Sequence, residues 1–82
     1  MIRLDLPHGL EDAVAECLRL GLVVHSEREL AGLPGSRHLH LRVPGRSGTI
    51  ELSEADGRAW VQVHARRDGG WAGKLAEALA GR

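Results

Sequence analysis

The chain has 82 residues, 43% hydrophobic and 27% charged, and its eleven basic and eleven acidic residues cancel to a formal net charge of zero. That length makes one domain, residues 1–82, with a small core; the balanced charge excludes the overall basic field of a dedicated nucleic-acid binder but leaves room for a local patch. A single cysteine, Cys17, excludes an internal disulfide and a Cys-based metal framework.

Residues 1–6 carry both Arg3 and Asp5, and no apolar run approaches about 18 residues, so neither a signal peptide nor a membrane span is expected. A cytoplasmic location is the default expectation. Ile2, Leu4 and Leu6 alternate with Arg3 and Asp5 and read as a short strand stopped by Pro7, or as an extended arm over the core.

From about His8 to Leu20 the period becomes helical, with Leu10, Val14, Cys17, Leu18 and Gly21 on one stripe. Glu11 and Asp12 near the start and Arg19 near the end suit the helix dipole, and Gly21 is a natural stop. Cys17 reads as packed core, with no base or cation evident to activate it. Leu22 to Leu30 is a strand. Placing Leu22 and Val24 inward sets His25 beside Arg42 and Glu27 beside His40, but turns Ser26 and Arg28 inward too. Gly32, Pro34 and Gly35 mark a turn region.

Arg37 to Arg66 is the organising stretch. Residues 37–43, 49–53 and 58–66 each alternate apolar and polar, the signature of half-buried antiparallel strands. Asp56-Gly57 is the preferred pair for a tight type I′ hairpin. It pairs Ala55 with Arg58, Ser53 with Trp60, Leu52 with Val61 and Ile50 with Val63. Matching apolar faces then pairs Leu41 with Leu52 and Val43 with Ile50, leaving Arg46-Ser47 as a two-residue loop. A last helix runs from about Trp71 to Ala80, with Trp71, Leu75 and Leu79 at four-residue spacing. The expected fold is α+β: an antiparallel four-stranded β-meander with an N-terminal and a C-terminal helix on one face, in the order (β)-α-β-β-β-β-α.

The outer sheet face gathers the polar candidates: His38, His40, Arg42, Glu51, Trp60, Gln62, His64 and Arg66. Arg42 and Glu51 are expected as cross-strand neighbours. Trp60 could stack on bases or fill a partner's pocket, or serve as cover against the first segment. His38-x-His40 puts two imidazoles on one face, and His64 faces the same way. The register, however, sets His64 about 13 Å along and about 10 Å across from His40, far beyond the reach of one zinc ion. His38 and His40 would then need His25, Glu27 or Glu29 as co-ligands. Solvated strand histidines are the expectation, with no metal and no cofactor. Arg66, Arg67 and Lys74 read as a solvated cluster, although free amides after Gly69-Gly70 could take a phosphate.

Gly35-Ser36-Arg37-His38, within an α-β-β-β-α arrangement, resembles the double-stranded-RNA-binding fold and the HicA-type mRNA-cleaving toxins, whose Gly-Ser-His stretch leads into the second strand. Here the His is displaced by one position. The resemblance implies His38 as a catalytic general base. The leading functional expectation is a non-enzymatic protein-interaction or binding module using the open sheet face, with a protein partner or a second copy. RNA binding or cleavage is the alternative, and no membrane association is expected.

Overall fold

The computed structural model describes residues 1–81. Its elements run β1 (Ile2–Asp5), α1 (Gly9–Arg19), β2 (Val23–Arg28), β3 (Arg37–Arg42), β4 (Ile50–Ala55), β5 (Arg58–Val63), a 3₁₀ turn (Ala65–Arg67) and α2 (Ala72–Ala80). The α+β class, the antiparallel sheet and the two helices are as expected. The sheet has five strands rather than four, in the order β1-β5-β4-β3-β2. The first segment is not an arm: β1 pairs with β5, Ile2 opposite Val63 and Leu4 opposite Val61, which sends both apolar side chains to the core face.

Every neighbouring pair of strands is antiparallel. β1 and β2 therefore point the same way from opposite edges, and α1 carries the chain across one face between them. Leu39, Leu41, Ile50, Leu52, Val61 and Val63 line that face and are essentially sealed from solvent. Leu10, Ala13 and Cys17 of α1 and Ala72, Ala76 and Leu79 of α2 close the same cluster. Two helices thus cover one face, and the other carries no helix.

Within α1 the buried stripe runs through Ala13, whereas Leu18 is 51% exposed. The helix meets the sheet about one residue off the expected stripe. Burial, and secondarily the neighbouring Glu16, pushes the Cys17 thiol up to about 12, so it is core and not a nucleophile. Gly21 sits beyond the helix end as read from sequence, with the Leu22 amide donating to the Cys17 carbonyl at 3.0 Å.

Three registers decide where the polar face lies. The β4–β5 hairpin is as expected: Ala55 faces Arg58, Ser53 faces Trp60 and Leu52 faces Val61. Asp56 and Gly57 both take positive φ, 53° and 76°, as the type I′ turn requires. The β3–β4 pairing is displaced by two residues. Leu39 faces Leu52, Leu41 faces Ile50 and His40 faces Glu51, so the connection is longer than two residues. A shift of two preserves the apolar face but moves every polar side chain one level along the sheet. In β2 an irregularity between Val24 and Ser26 changes the register. Ser26 and Arg28 then face His40 and His38 on the polar side, which removes the inward serine and arginine that sequence pairing demanded. Glu27 moves to the helix side, where Arg37 binds both it and Glu11 of α1.

The long β3–β4 loop is clasped to the segment after β5. The Thr49 amide donates to the Arg67 carbonyl at 2.7 Å, and the Trp71 Nε1–H donates to the Ser47 carbonyl at 2.8 Å. Gly69 lies beneath this clasp at φ +62°, and a Cβ there would sit 2.1 Å from the Ser47 oxygen. Gly69→Ala should therefore cost about 2 kcal/mol or more, since strained conformation and backbone collision add. Gly45→Ala, at φ +78° in open space, should cost only the conformational part. Urea denaturation of the two variants measures the difference, and equal losses would mean the clasp yields freely.

Candidate functional site

The polar face is built from the outward positions of β3, β4 and β5. Because His40 faces Glu51 and His38 faces Ser53, the two imidazoles of β3 stand over two side chains of β4. Arg42, expected as the neighbour of Glu51, lies one level further along, opposite Val23 of β2.

β5 ends at Val63 rather than at residue 66, because Thr49 pairs with the Arg67 carbonyl after the chain has turned. His64 is still extended, φ -84° and ψ 136°, and the chain turns after it at Ala65–Arg67. With Glu51 opposite Gln62, His64 is the diagonal neighbour of Glu51 on the same face, and its Nε2 lies 2.9 Å from Glu51 Oε2. The expected separation from His40 does not apply, because the β3–β4 shift sets His40 opposite Glu51.

Glu51 is the centre. Its side chain is only 8% exposed, and it is ringed by three imidazoles. His38 Nε2 lies 3.1 Å and His40 Nε2 lies 3.7 Å from Glu51 Oε1, while the two Nε2 atoms are 3.1 Å apart. The rings meet edge to face at 78°. His38 Nδ1 is 2.6 Å from the hydroxyl of the fully buried Ser53, which fixes the ring and aims Nε2 at the cluster. Sequence reasoning passed over Ser53 and Met1. The signal for Ser53 was available, since it shares the outward parity of Glu51. His25, Glu27 and Glu29 are not part of this donor cluster; His25 is exposed beside the β2 irregularity and lines a shallow hollow with His38 and His40.

His40, Glu51 and His64 open into a concavity of about 580 Å³, whose further walls are Met1, Ala65, Arg66 and Arg67. Arg66, on the expected binding face by strand parity, reaches the site from the turn instead. Gln62 and Trp60 form a neighbouring group: Trp60 Nε1–H donates to Gln62 Oε1 at 3.0 Å, and the Arg3 guanidinium lies 4.5 Å over the Trp60 ring. Trp60 is thus half-buried, with Arg3 of β1 over one face of its ring. Ser36, within the toxin-like stretch, donates its hydroxyl to the Leu33 carbonyl and accepts from the Leu30 amide, so it ties its own loop together.

The chemistry available follows from the donor set. Three lone-pair atoms, two imidazole nitrogens and one carboxylate oxygen, approach one another within 3.7 Å. Each imidazole carries at most one Nε2 proton, so protons can satisfy two edges of that triangle but not the third. A cation at its centre satisfies all three. His38, His40 and Glu51 are the group among the described residues that could hold a metal ion. Comparison of the chain with protein-family models, curated proteins and solved structures finds no match. Among the described residues no helix is long and apolar enough to cross a membrane.

Burial is the largest influence on His40 and holds its pKa below the ordinary imidazole value against the opposing pull of Glu51; electrostatic repulsion between protonated His40 and His38, Arg67 and Arg28 adds to the lowering. The unfolded chain therefore takes up this proton at a higher pH than the folded one. Stability of the metal-free protein should fall as pH drops through the imidazole range. Urea denaturation between pH 7.5 and 5 measures the slope, which should flatten in His40→Asn; an unchanged slope would place the linked proton elsewhere.

Proposed function

We propose that the chain is a small binding module whose open sheet face holds a zinc-class divalent cation through His38, His40 and Glu51, with the fourth coordination position facing the concavity beside Arg66 and Arg67. The supporting observation is the triangle of donor atoms. Tetrahedral zinc with bonds of about 2.0–2.1 Å sets its ligand atoms about 3.3 Å apart. The three separations here are 3.1, 3.1 and 3.7 Å. Two imidazoles and a carboxylate, with one position left over, form the donor set of sites that keep an exchangeable water.

The surrounding groups fit the same reading. The Ser53 hydroxyl lies 2.6 Å from His38 Nδ1, and in the tautomer whose Nδ1–H donates to it the Nε2 lone pair is free for the cation; His64 Nε2 lies 2.9 Å from Glu51 Oε2, which leaves Oε1 for the cation. Burial that favours neutral His40 keeps a ligand ready at neutral pH. A water on the ion would be polarised toward hydroxide.

The chelator-stripped protein should take up one equivalent of Zn²⁺ by calorimetry, releasing protons and binding more weakly as pH falls from 7.5 to 5.5. His38→Ala and His40→Ala should abolish stoichiometric uptake. His64→Gln should weaken it by about 10–100-fold, the usual effect of losing a group that orients a ligand. Uptake that survives in the double variant His38→Ala/His40→Ala would remove the proposal.

A second reading, protein interaction, is favoured by the β2 edge. Val23, Val24, Leu18 and Leu20 are between 41% and 52% exposed, beside a strand with one unpaired side. Sedimentation equilibrium should then show a concentration-dependent dimer that Val24→Lys dissociates; a monomer at all concentrations would count against self-association.

A further inference from the structure

Next to the metal concavity lies a second one of about 400 Å³, between the β3–β4 loop and the 3₁₀ turn. Four arginines surround it, Arg42, Arg46, Arg66 and Arg67, together with the Ser47–Thr49 backbone, and no carboxylate lines it. Of the other described cations, Arg19 is paired with Glu16 and Arg37 with Glu11 and Glu27. Among the described residues no ion pair joins any of these four to an acidic side chain. A neutral chain has thus gathered four unpaired guanidiniums at one end of the sheet, where they repel one another unless an anion lies between them.

The cavity is also held in shape. Its Ser47–Thr49 wall is pinned from both sides by the Trp71 bond to Ser47 and by the Thr49 bond to Arg67. The site foreseen at the start of α2 is closed instead, because the Gly73 amide in its first turn donates to Asp68 Oδ1 at 2.7 Å.

We propose that this arginine-walled cavity binds the phosphate group of a small phosphorylated ligand. Guanidinium forks match the oxygens of phosphate in planar, two-point contacts, and several of them converging on a hollow suit a dianionic terminal group. A nucleic-acid strand fits less well. The walls form a hollow rather than a track, no aromatic side chain lines it, and the Trp60 ring is covered by Arg3. Arg66 and Arg67 also wall the metal concavity, so the bound phosphate lies beside the open position of the ion. The phosphate site does not require the metal.

The test is titration of inorganic pyrophosphate into ¹⁵N-labelled protein at constant ionic strength, once after chelator treatment and once with one equivalent of Zn²⁺. Saturable shifts of the Ser47, Gly48 and Thr49 amides are expected in both samples. Arg42→Gln/Arg46→Gln, at two exposed positions, should weaken binding by about tenfold or more, as loss of charge-assisted hydrogen bonds does; Arg66→Gln is the independent single variant. Shifts in the zinc-loaded sample alone would overturn a site built by the arginines. Shifts no larger than sodium chloride produces, or unchanged binding by both variants, would overturn it equally. A dephosphorylated oligoribonucleotide is the last arm: tighter binding than pyrophosphate, with shifts spreading to Trp60, would replace the small phosphate by an RNA strand.

Discussion

The arrangement of the polar face depends on the clasp between the β3–β4 loop and the segment that follows β5. Two hydrogen bonds make it, Thr49 N–H to Arg67 O and Trp71 Nε1–H to Ser47 O. Together they accompany the end of β5 at Val63 and the turn of Ala65–Arg67 at the end of the sheet. Without the clasp, β5 could continue as its alternation suggests, and Arg66 and Arg67 would leave the walls of the concavity beside Glu51. The glycines at 48 and 69 are the steric condition for the clasp, since a Cβ at either would meet the other segment at 3.1 Å or less.

A buried carboxylate on an otherwise open face is costly unless partners compensate it. Among the described residues the ion-pair partners of Glu51 are three imidazoles and none of the many arginines of this chain. Four arginines stand beside it, in the adjoining hollow, with no carboxylate among its walls. The two proposed sites are complementary: a donor cluster that a cation would complete, and a positive rim that an anion would complete.

Much of the fold was legible in the residues, and the site was legible only in part. Asp56-Gly57 specifies its turn chemically, so the β4–β5 pairing followed at once. The β3–β4 loop carries no such specification: Pro44-Gly45-Arg46-Ser47-Gly48 suits several lengths, and face parity cannot separate registers that differ by two. That ambiguity leaves Leu39, Leu41, Ile50 and Leu52 correctly inward while exchanging the neighbour of Glu51 from Arg42 to His40. Composition of the face was therefore readable, and proximity within it was not. The β2 irregularity was signalled by the awkward inward Ser26 and Arg28. Ala65 misled because an alanine fits a strand and a turn equally well.

The pairing of β1 with β5 has a consequence for how the molecule assembles. β2 to β5 form a meander of sequence-local contacts, whereas β1 joins Ile2 to Val63 across almost the whole chain, and closing so long a loop carries an entropic cost that local hairpins escape. The meander can thus form before β1 docks. Met1 lines the concavity beside Glu51 and Arg3 roofs Trp60, so the face is finished only once β1 has docked.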